Sequence, residues 1–168
     1  MCQHPASQSD LSLLKDCTVQ RTRGSGPGGQ HRNKVETAIV ITHTPTGIIG
    51  QASEARSQNK NKTVAMSRLK TNLAIAFRLD KTEKSTPSEL WNSRLKNKKI
   101  EVSNKHSDFP ALLAEALDFL HFEGFNPAAA AQTLGCSTSQ LVKFIKRNPQ
   151  AIAMVNTKRR SLGLKKIS

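Results

Sequence analysis

The sequence is poor in aromatic and acidic residues. Tyrosine is absent and aromatic residues make up 4% of the chain, so the core must be mainly aliphatic, and a platform of aromatic side chains for stacking bases is not favoured. Asp and Glu number 12 against 26 Lys and Arg, which gives a net charge of +14. Because each Lys or Arg that meets a phosphate releases condensed counterions, this excess favours a polyanionic partner. Nucleic acid is the leading partner class.

Cysteine is also scarce. The three residues, Cys2, Cys17 and Cys136, are widely spaced and form no Cys-x-x-Cys pair, which argues against a disulfide framework and against a zinc site. We therefore expect a reduced, intracellular protein with no bound metal. The first twenty residues contain no apolar run of signal-peptide length, and the longest stretch free of polar side chains is only 109–114. We expect no membrane span and a cytoplasmic location, with an organelle matrix as the alternative.

The 168 residues allow one domain with an appendage or two very small domains. Residues 17–23 and 35–43 have compositions typical of strands, and turn residues at 45–47 predict that 48–52 returns as a partner strand. Residues 57–79 carry apolar side chains near helical spacing, with Lys and Arg on the other side. This pattern predicts the α+β class, with a small antiparallel β-sheet and one long packed helix.

The second half of the chain changes character. Residues 81–107 are polar and predict a linker with one short helix. Helical periodicity resumes in 108–148, which predicts a small all-α appendage, and 149–168 is predicted to be a basic C-terminal tail. Charge is segregated, because 108–125 contains four acids and no Lys or Arg, whereas the residues after it contain eight basic residues and no acid. The part before the linker, 1–80, is predicted to be the first domain.

A glycine-rich loop occupies residues 24–34. Gly24, Gly26 and Gly29 match the G-x-G-x-x-G pattern of dinucleotide-binding loops, but that pattern needs a helix to begin at the loop, and a predicted strand follows here. A phosphate loop of the G-x-x-x-x-G-K-S/T type fails as well, since Gln30 and His31 stand where Lys and Ser or Thr are required. A flexible hairpin without chemistry is the ordinary interpretation of a glycine cluster and stays open at this point.

The order of the residues in and after this loop is informative. The loop has the sequence GSGPGGQ at 24–30 and HRNK at 31–34, and THTPTGI at 42–48 precedes RSQNKNK at 56–62. This series resembles the Gly-Gly-Gln domain of class I peptide-chain release factors, and the resemblance covers residues 17–79. The tripeptide alone would be weak evidence, whereas the whole series in the family's order is strong.

The resemblance implies ribosome-dependent hydrolysis of the ester that links a nascent peptide to tRNA. Gly28 and Gly29 would shape the loop tip, because glycine adopts backbone conformations closed to other residues and lets the backbone approach RNA closely. Gln30 would offer its backbone N–H to the developing oxyanion, as in the family, while its neutral side chain helps to place the water. No cofactor is implied. The implied partners are the ribosome, at the 23S-type rRNA of the peptidyl transferase centre, and peptidyl-tRNA, and we expect a monomer.

Basic and polar residues beside the loop and in the C-terminal region are predicted RNA contacts. Their position on both sides of the loop tip favours phosphate contacts, although a solvated surface is the ordinary alternative for such charges. In the family the stretch that opens the long helix packs beneath the loop and meets ribosomal RNA, while helix capping by Ser57 is an equally sound local explanation. The predicted RNA-binding residues are Arg21, Arg23, His31, Arg32, Lys34, Arg56, Ser57, Gln58, Lys60, Lys62, Lys143, Lys146, Arg147, Lys158, Arg159, Arg160, Lys165 and Lys166.

The layout is closest to the short ribosome-rescue hydrolases of the YaeJ (ArfB) type, which resemble it in having a Gly-Gly-Gln domain, a linker and a basic tail for the empty mRNA channel. Full-length release factors carry a separate domain that reads stop codons, and a chain of this length is expected to have no room for one. Neither a Pro-x-Thr nor a Ser-Pro-Phe tripeptide occurs. We therefore expect codon-independent hydrolysis. For the basic tail, the alternative is a disordered end that only improves solubility.

Residues 126–146 depart from that layout and are typical of a helix-turn-helix. Pro127 suits a helix start, Gly135 suits the turn, and Ser137 can cap the second helix. Two interpretations stay open: a recognition helix for nucleic acid, or a three-helix bundle that presents the tail. We favour RNA or ribosome contact over sequence-specific DNA binding, and the alternative function is a non-catalytic ribosome- or nucleic-acid-binding adaptor. A recognition helix would expose Ser139, Gln140, Lys143 and Arg147.

Overall fold

The computed structural model describes residues 3–22, 37–82 and 85–167. It combines helices with small antiparallel sheets, which confirms the predicted α+β class. The chain divides into two compact units, Met1–Leu73 and Ala74–Ser168. Among the helices of the described residues, none has both the length and the apolar composition needed to cross a bilayer.

The first unit is built on a three-stranded antiparallel sheet. A 3-10 turn at Pro5–Ser7 and helix α1, Asp10–Leu14, precede it. Strands β1, Cys17–Thr22, β2, Ala38–His43, and β3, Ile48–Ala52, lie in the order β1-β2-β3. All three were expected from the β-branched composition of these segments, and residues 35 and 36, the start of the second predicted strand, lie outside the described residues.

The turn that joins β2 to β3 lies where turn residues predicted it. Gly47 has a φ of +69°, a left-handed conformation that glycine adopts without strain. His43, the last residue of β2, is buried, and its Nδ1 lies 2.8 Å from Oγ1 of Thr46. Burial lowers the pKa of His43, and the nearby Asp16 carboxylate opposes that shift. Near neutral pH the imidazole is therefore mainly uncharged, and it stabilises the turn through its hydrogen bond with Thr46.

The long predicted helix is α2, Gln58–Ala76, and it packs on this sheet through an apolar face. Ala65, Leu69 and Leu73 recur every four residues along that face and are fully buried. The helix lies so close to β3 that a Cβ added at Gly50 would be 2.2 Å from the carbonyl oxygen of Ala65. Glycine at this position thus permits the close packing of helix on sheet.

The segment predicted as a linker, 81–107, contains the expected short helix, α3, Glu89–Arg94, and also a hairpin of two-residue strands, β4, Leu95–Lys96, and β5, Lys99–Ile100. Trp91 in α3 is 1% exposed. The segment therefore contributes a large side chain to the core of the second unit. Apolar periodicity did not reveal this, because a single tryptophan has no period.

Trp91 is fixed by two contacts within the second unit. Its indole Nε1 donates a hydrogen bond of 2.9 Å to the carbonyl oxygen of Leu134. Its ring meets that of Phe144 edge to face, with 5.9 Å between the centroids. A buried indole needs such a partner for its N–H, and the Leu134 carbonyl provides it.

Four further helices complete the second unit: α4, Phe109–Phe122, α5, Pro127–Thr133, α6, Thr138–Ile145, and α7, Pro149–Ser161. Helix α4 is almost wholly buried and lies against α5 and α6. Its burial on most sides explains why eleven of its fourteen residues are apolar, a wider apolar surface than the single stripe of an amphipathic helix.

Helices α5 and α6 form the helix-turn-helix that the sequence predicts. Pro127 opens α5, Gly135 in the turn has a φ of +69°, and the Ser137 hydroxyl accepts a hydrogen bond from the amide of Gln140 at 3.3 Å. Leu141 and Phe144 of α6 face the core.

Helix α7 occupies much of the segment for which the sequence predicts a basic tail. Asn148 caps it by accepting a hydrogen bond of 3.0 Å from the amide of Ala151, and Ala151 and Val155 are fully buried. Two small buried residues give little periodic signal beside the cluster of basic residues, so the charge of the segment was easier to interpret than its helix.

An ion pair joins the chain that follows α2 to α4. The Arg78 guanidinium donates to Oδ1 of Asp118 at 2.9 Å, and the backbone amide of Leu79 donates to the same oxygen at 3.2 Å. Burial raises the pKa of Asp118 to about 6, while the Arg78 charge acts against that rise. This carboxylate therefore holds the first residues after the long helix on α4.

Candidate functional site

The glycine loop connects β1 to β2, and these strands are paired up to the last residue of β1 and the first residue of β2. Cys17 pairs with His43 at one end of the antiparallel ladder between β1 and β2, and Thr22 pairs with Ala38 at the other. The two ends of the connection are therefore neighbours across one ladder. Seven predicted site residues within it lie outside the described residues: Gly28, Gly29 and Gln30, predicted as catalytic, and Arg23, His31, Arg32 and Lys34, predicted as RNA contacts.

The returning end of this connection is fixed by the side chain of Asn61. This residue lies in the first turns of α2 and has no exposed surface. Its Nδ2 donates to the carbonyl oxygen of Thr37 at 2.6 Å and to that of Ala55 at 2.8 Å, while its Oδ1 accepts from the amide of Ala55 at 2.9 Å. One amide thus joins the residue before β2 to the chain entering α2.

The resemblance includes Asn61, but its residue type and position alone did not predict a role for it. It lies four residues before Ala65 and eight before Leu69, on the apolar face of the helix. A polar side chain at such a position needs buried hydrogen-bond partners. That mismatch of residue type and helix face is the signal that could have identified it.

The predicted contacts at the start of α2 surround this amide along the chain. Arg56, Ser57, Lys60 and Lys62 are exposed, and Gln58 is half-buried. The Ser57 hydroxyl accepts from the amide of Lys60 at 3.4 Å, which supports the capping explanation for that serine. Two exposed cations, Lys60 and Lys62, therefore lie in the first turns of α2 with the buried Asn61, and Arg56 precedes the helix.

Arg21 lies on the edge strand β1, opposite Ile39 of β2. It is exposed, as are all residues of β1 after Cys17. This position is one residue before the end of the strand, so Arg21 lies close to the point where the connection begins. A phosphate contact by Arg21 remains a proposal.

The predicted cations of the second unit fall into two groups. Arg147 and Arg159 are half-buried and are engaged by the protein itself. Arg147 donates to the carbonyl oxygen of Val102 and lies over the Phe144 ring, and Arg159 donates to the carbonyl oxygens of Phe125 and Lys165. The others are exposed, namely Lys143, Lys146, Lys158, Arg160, Lys165 and Lys166.

Five of these cations line one groove of about 710 Å³ on the second unit. None of its lining residues within the described part of the chain is acidic. The groove lies among α6, α7 and the residues that follow α7. Arg147, Lys158 and Arg160 do not line it. The five cations that do are Lys143, Lys146, Arg159, Lys165 and Lys166.

The described cysteines are not activated nucleophiles. Burial raises the pKa of Cys136 to about 11, and burial with the neighbouring Asp16 carboxylate raises that of Cys17. Both thiols are thus protonated near neutral pH. Among the residues that the structure describes, no three His, Cys, Asp or Glu side chains are grouped as a metal site would require.

Comparison with known proteins adds an independent finding about the first two thirds of the chain. A family model described as the RF-1 domain matches residues 11–109. This match covers β1, the glycine connection, the whole sheet, α2 and the α3 segment, and ends at the start of α4.

Three relatives named peptide chain release factor 2 illustrate the likeness. The one from Sulfurovum sp. (strain NBC37-1) is 56% identical over 59 residues, or 35% of this chain and 16% of the relative. The one from Helicobacter pylori (strain P12) is 48% identical over 75 residues, covering 45% and 20%. The one from Campylobacter hominis is 39% identical over 111 residues, covering 61% and 30%. The chain thus spans less than a third of each relative, and by the extent of the family match it belongs to the RF-1 domain family of class I release factors.

Proposed function

We propose that this protein hydrolyses the ester of peptidyl-tRNA on the ribosome and so releases the nascent peptide. The observation that carries the proposal is the family match over residues 11–109, which contains Gly28-Gly29-Gln30 between two strands whose ends are paired at Thr22 and Ala38. Relatives named as peptide chain release factors support it.

The proposed chemistry needs geometry more than acid–base groups. The ester is already activated, so hydrolysis requires a water placed at the carbonyl and a donor for the oxyanion that forms. In this proposal the backbone N–H of Gln30 is that donor, and its side-chain amide positions the water. Gln is a poor proton acceptor, so the proton of the water passes to the substrate or to ribosomal RNA.

The finer proposal is that release does not require a stop codon. Like the short rescue hydrolases, the chain carries a basic element after its first unit, but here it is a small helical unit with a basic groove in place of a linker and a free tail. Ribosomes halted without a codon to read are therefore the proposed substrate.

The test is release of labelled peptide from purified ribosomes programmed with mRNA that ends without a stop codon. We expect release by the wild-type protein, and a rate lower by about 100-fold or more for Gln30→Ala and for Gly29→Ala, the range typical for loss of a preorganised transition-state contact. Gln51→Ala, an exposed glutamine in β3, is the matched control and should release peptide normally.

A second arm separates rescue from termination. The same ribosomes carry either a stop codon or a sense codon in the decoding site, with mRNA continuing beyond it. Release that requires the stop codon would replace the rescue proposal with codon-directed termination. Equal release by wild type and Gln30→Ala would end the catalytic proposal.

The second candidate function is a non-catalytic ribosome- or RNA-binding adaptor. It is favoured by the five-cation groove, which lies on the helical unit and does not depend on the glycine connection. Tight binding to stalled ribosomes without release by the wild-type protein would select the adaptor.

A further inference from the structure

The residues after α7 fold back onto that helix and are held there by backbone and side-chain hydrogen bonds. The backbone amide of Leu164 donates to the carbonyl oxygen of Arg159 at 2.8 Å, and Nε of Arg159 donates to the carbonyl oxygen of Lys165 at 2.8 Å. Asn156 makes a reciprocal pair with Ile167: its Oδ1 accepts from the Ile167 amide at 2.8 Å, and its Nδ2 donates to the Ile167 carbonyl oxygen at 3.3 Å. The segment is thus a built part of the fold rather than a free basic tail.

Because of this arrangement, cations from two parts of the chain line one groove. Lys165 and Lys166 of the folded-back segment line it together with Lys143 and Lys146 of the α6 region, and Arg159 adds a fifth charge. Like charges held at one surface repel one another, and a polyanion relieves that repulsion while it releases its own counterions. The groove therefore favours an extended, negatively charged ligand.

The residue types favour a phosphate backbone over base edges. Lysine binds phosphate as a flexible point charge, whereas the rigid planar fork of arginine suits bidentate contacts. The arginine nearest the predicted recognition helix, Arg147, is engaged by the Val102 carbonyl oxygen and the Phe144 ring. Thr138 and Ser139, at the start of α6, line the groove and add hydroxyl donors that suit phosphate oxygens.

The geometry points to a binding site for the phosphodiester backbone of RNA in this groove, with Asn156 as the positioning residue that holds Lys165 and Lys166 in place. The choice of RNA as the source of the phosphates rests on the proposed function. The site is distinct from the glycine connection, and it makes no use of a free tail.

Binding of the full chain to purified ribosomal RNA, measured by fluorescence anisotropy across a salt series, tests the site. Lys143→Ala combined with Lys166→Ala should weaken binding about tenfold or more and reduce the slope of log affinity against log salt by about 1.4–1.8, since each phosphate contact contributes about 0.7–0.9. The matched control is Lys99→Ala combined with Lys105→Ala, two exposed lysines of the same unit outside the groove. Equal losses in both double variants would overturn the site.

Asn156→Ala tests whether the folded-back segment matters, because it changes no charge. If a free tail bound RNA by charge alone, this variant would bind like wild type. We expect affinity to fall about threefold to tenfold and the salt slope to decrease, since Lys165 and Lys166 no longer face the groove. Unchanged affinity and slope, with unchanged circular dichroism, would contradict the role of Asn156.

Two further measurements separate this inference from the proposed function. Gln30→Ala should bind RNA like wild type, so loss of peptide release in that variant leaves the groove untouched. The converse outcome is a wild-type protein that fails to release peptide while the Lys143 and Lys166 substitutions still weaken RNA binding. That result would support the groove as an RNA site and contradict the proposed hydrolysis. A DNA duplex that competes for the groove better than RNA would overturn the choice of RNA.

Discussion

The two units of this protein hold their candidate sites by different means. In the first unit, a strand ladder and one fully buried amide, Asn61, fix the ends of a connection that carries the glycines. In the second unit, the groove is a collection of mostly exposed charges, and only its folded-back edge is held by specific hydrogen bonds from Asn156 and Arg159.

The two units should therefore respond differently to mutation. A site whose position depends on one buried polar residue should fail as a whole when that residue is replaced, because its partners are left without hydrogen bonds. A site made of summed charge should weaken in steps, one cation at a time.

Replacement of Asn61 by leucine should have the largest effect. Asn61→Leu leaves the Thr37 and Ala55 carbonyl oxygens and the Ala55 amide without this partner, and each such buried group costs about 1–3 kcal/mol. Because three such groups are affected, we expect a loss of about 3–9 kcal/mol in the free energy of unfolding, measured by urea denaturation. The control is Asn59→Leu, an exposed position two residues earlier, which should stay within about 0.5 kcal/mol of wild type. Equal stability of the two variants would break the contrast.

Trp91→Ala should show whether the stability of the second unit depends on this one buried side chain. Truncation of a buried tryptophan costs about 3–5 kcal/mol, and here the Leu134 carbonyl oxygen also loses its donor. Hydrogen–deuterium exchange should accelerate across α4 to α7. Trp91→Phe, which keeps an aromatic ring but not the N–H, should give a smaller change. Faster exchange confined to β1, β2 and β3 would contradict the assignment of Trp91 to the core of the second unit.

Gly50→Ala should show how far the stability of the first unit depends on close packing of α2 on β3. The added Cβ would lie 2.2 Å from the Ala65 carbonyl oxygen, so β3 and α2 must move apart. We expect a destabilisation near the upper end of about 1–3 kcal/mol, measured by thermal unfolding. Gly47→Ala, where the cost comes from a φ of +69° and no atom lies within 4 Å of the added Cβ, should cost about 1 kcal/mol. The reverse order of the two variants would exclude close packing as the reason for Gly50.

Asp118→Asn should change how the stability of the second unit depends on pH. The folded-state pKa of about 6 lies above the ordinary 3.8, so the folded protein binds more protons than the unfolded chain between these values. Stability should therefore decrease as pH rises through that window, by up to about 3 kcal/mol more in wild type than in the variant. Urea denaturation at both ends of the window measures it. An identical pH slope in the two proteins would mean that Asp118 has an ordinary pKa.

Local patterns in the sequence predicted much of the fold. Each predicted element is marked by signals a few residues apart: β-branched composition and turn residues for the strands over 17–22, 38–43 and 48–52, apolar spacing for the long helix, and turn and capping residues for the helix-turn-helix. Those signals are local, so the sequence expresses them directly.

The parts that escaped prediction depend on residues far apart along the chain. The Trp91 hydrogen bond spans 43 residues and that from Asn61 to Thr37 spans 24. The bonds between Asn156 and Ile167 span only 11 residues, but they require α7, whose two buried residues give little periodic signal. The predicted catalytic residues, Gly28, Gly29 and Gln30, were proposed from the family resemblance, and they stay a prediction.

The paired strand ends at Thr22 and Ala38 have a practical consequence for experiment. The register of β1 on β2 is set by the ladder back to Cys17 and His43, so it does not depend on the length of the connection. Closing a longer loop between fixed ends costs only about 0.6 kcal/mol per doubling of its length. Connections from other members of the family, or shortened versions, can therefore be grafted onto this small frame and compared side by side, with the frame itself as the constant.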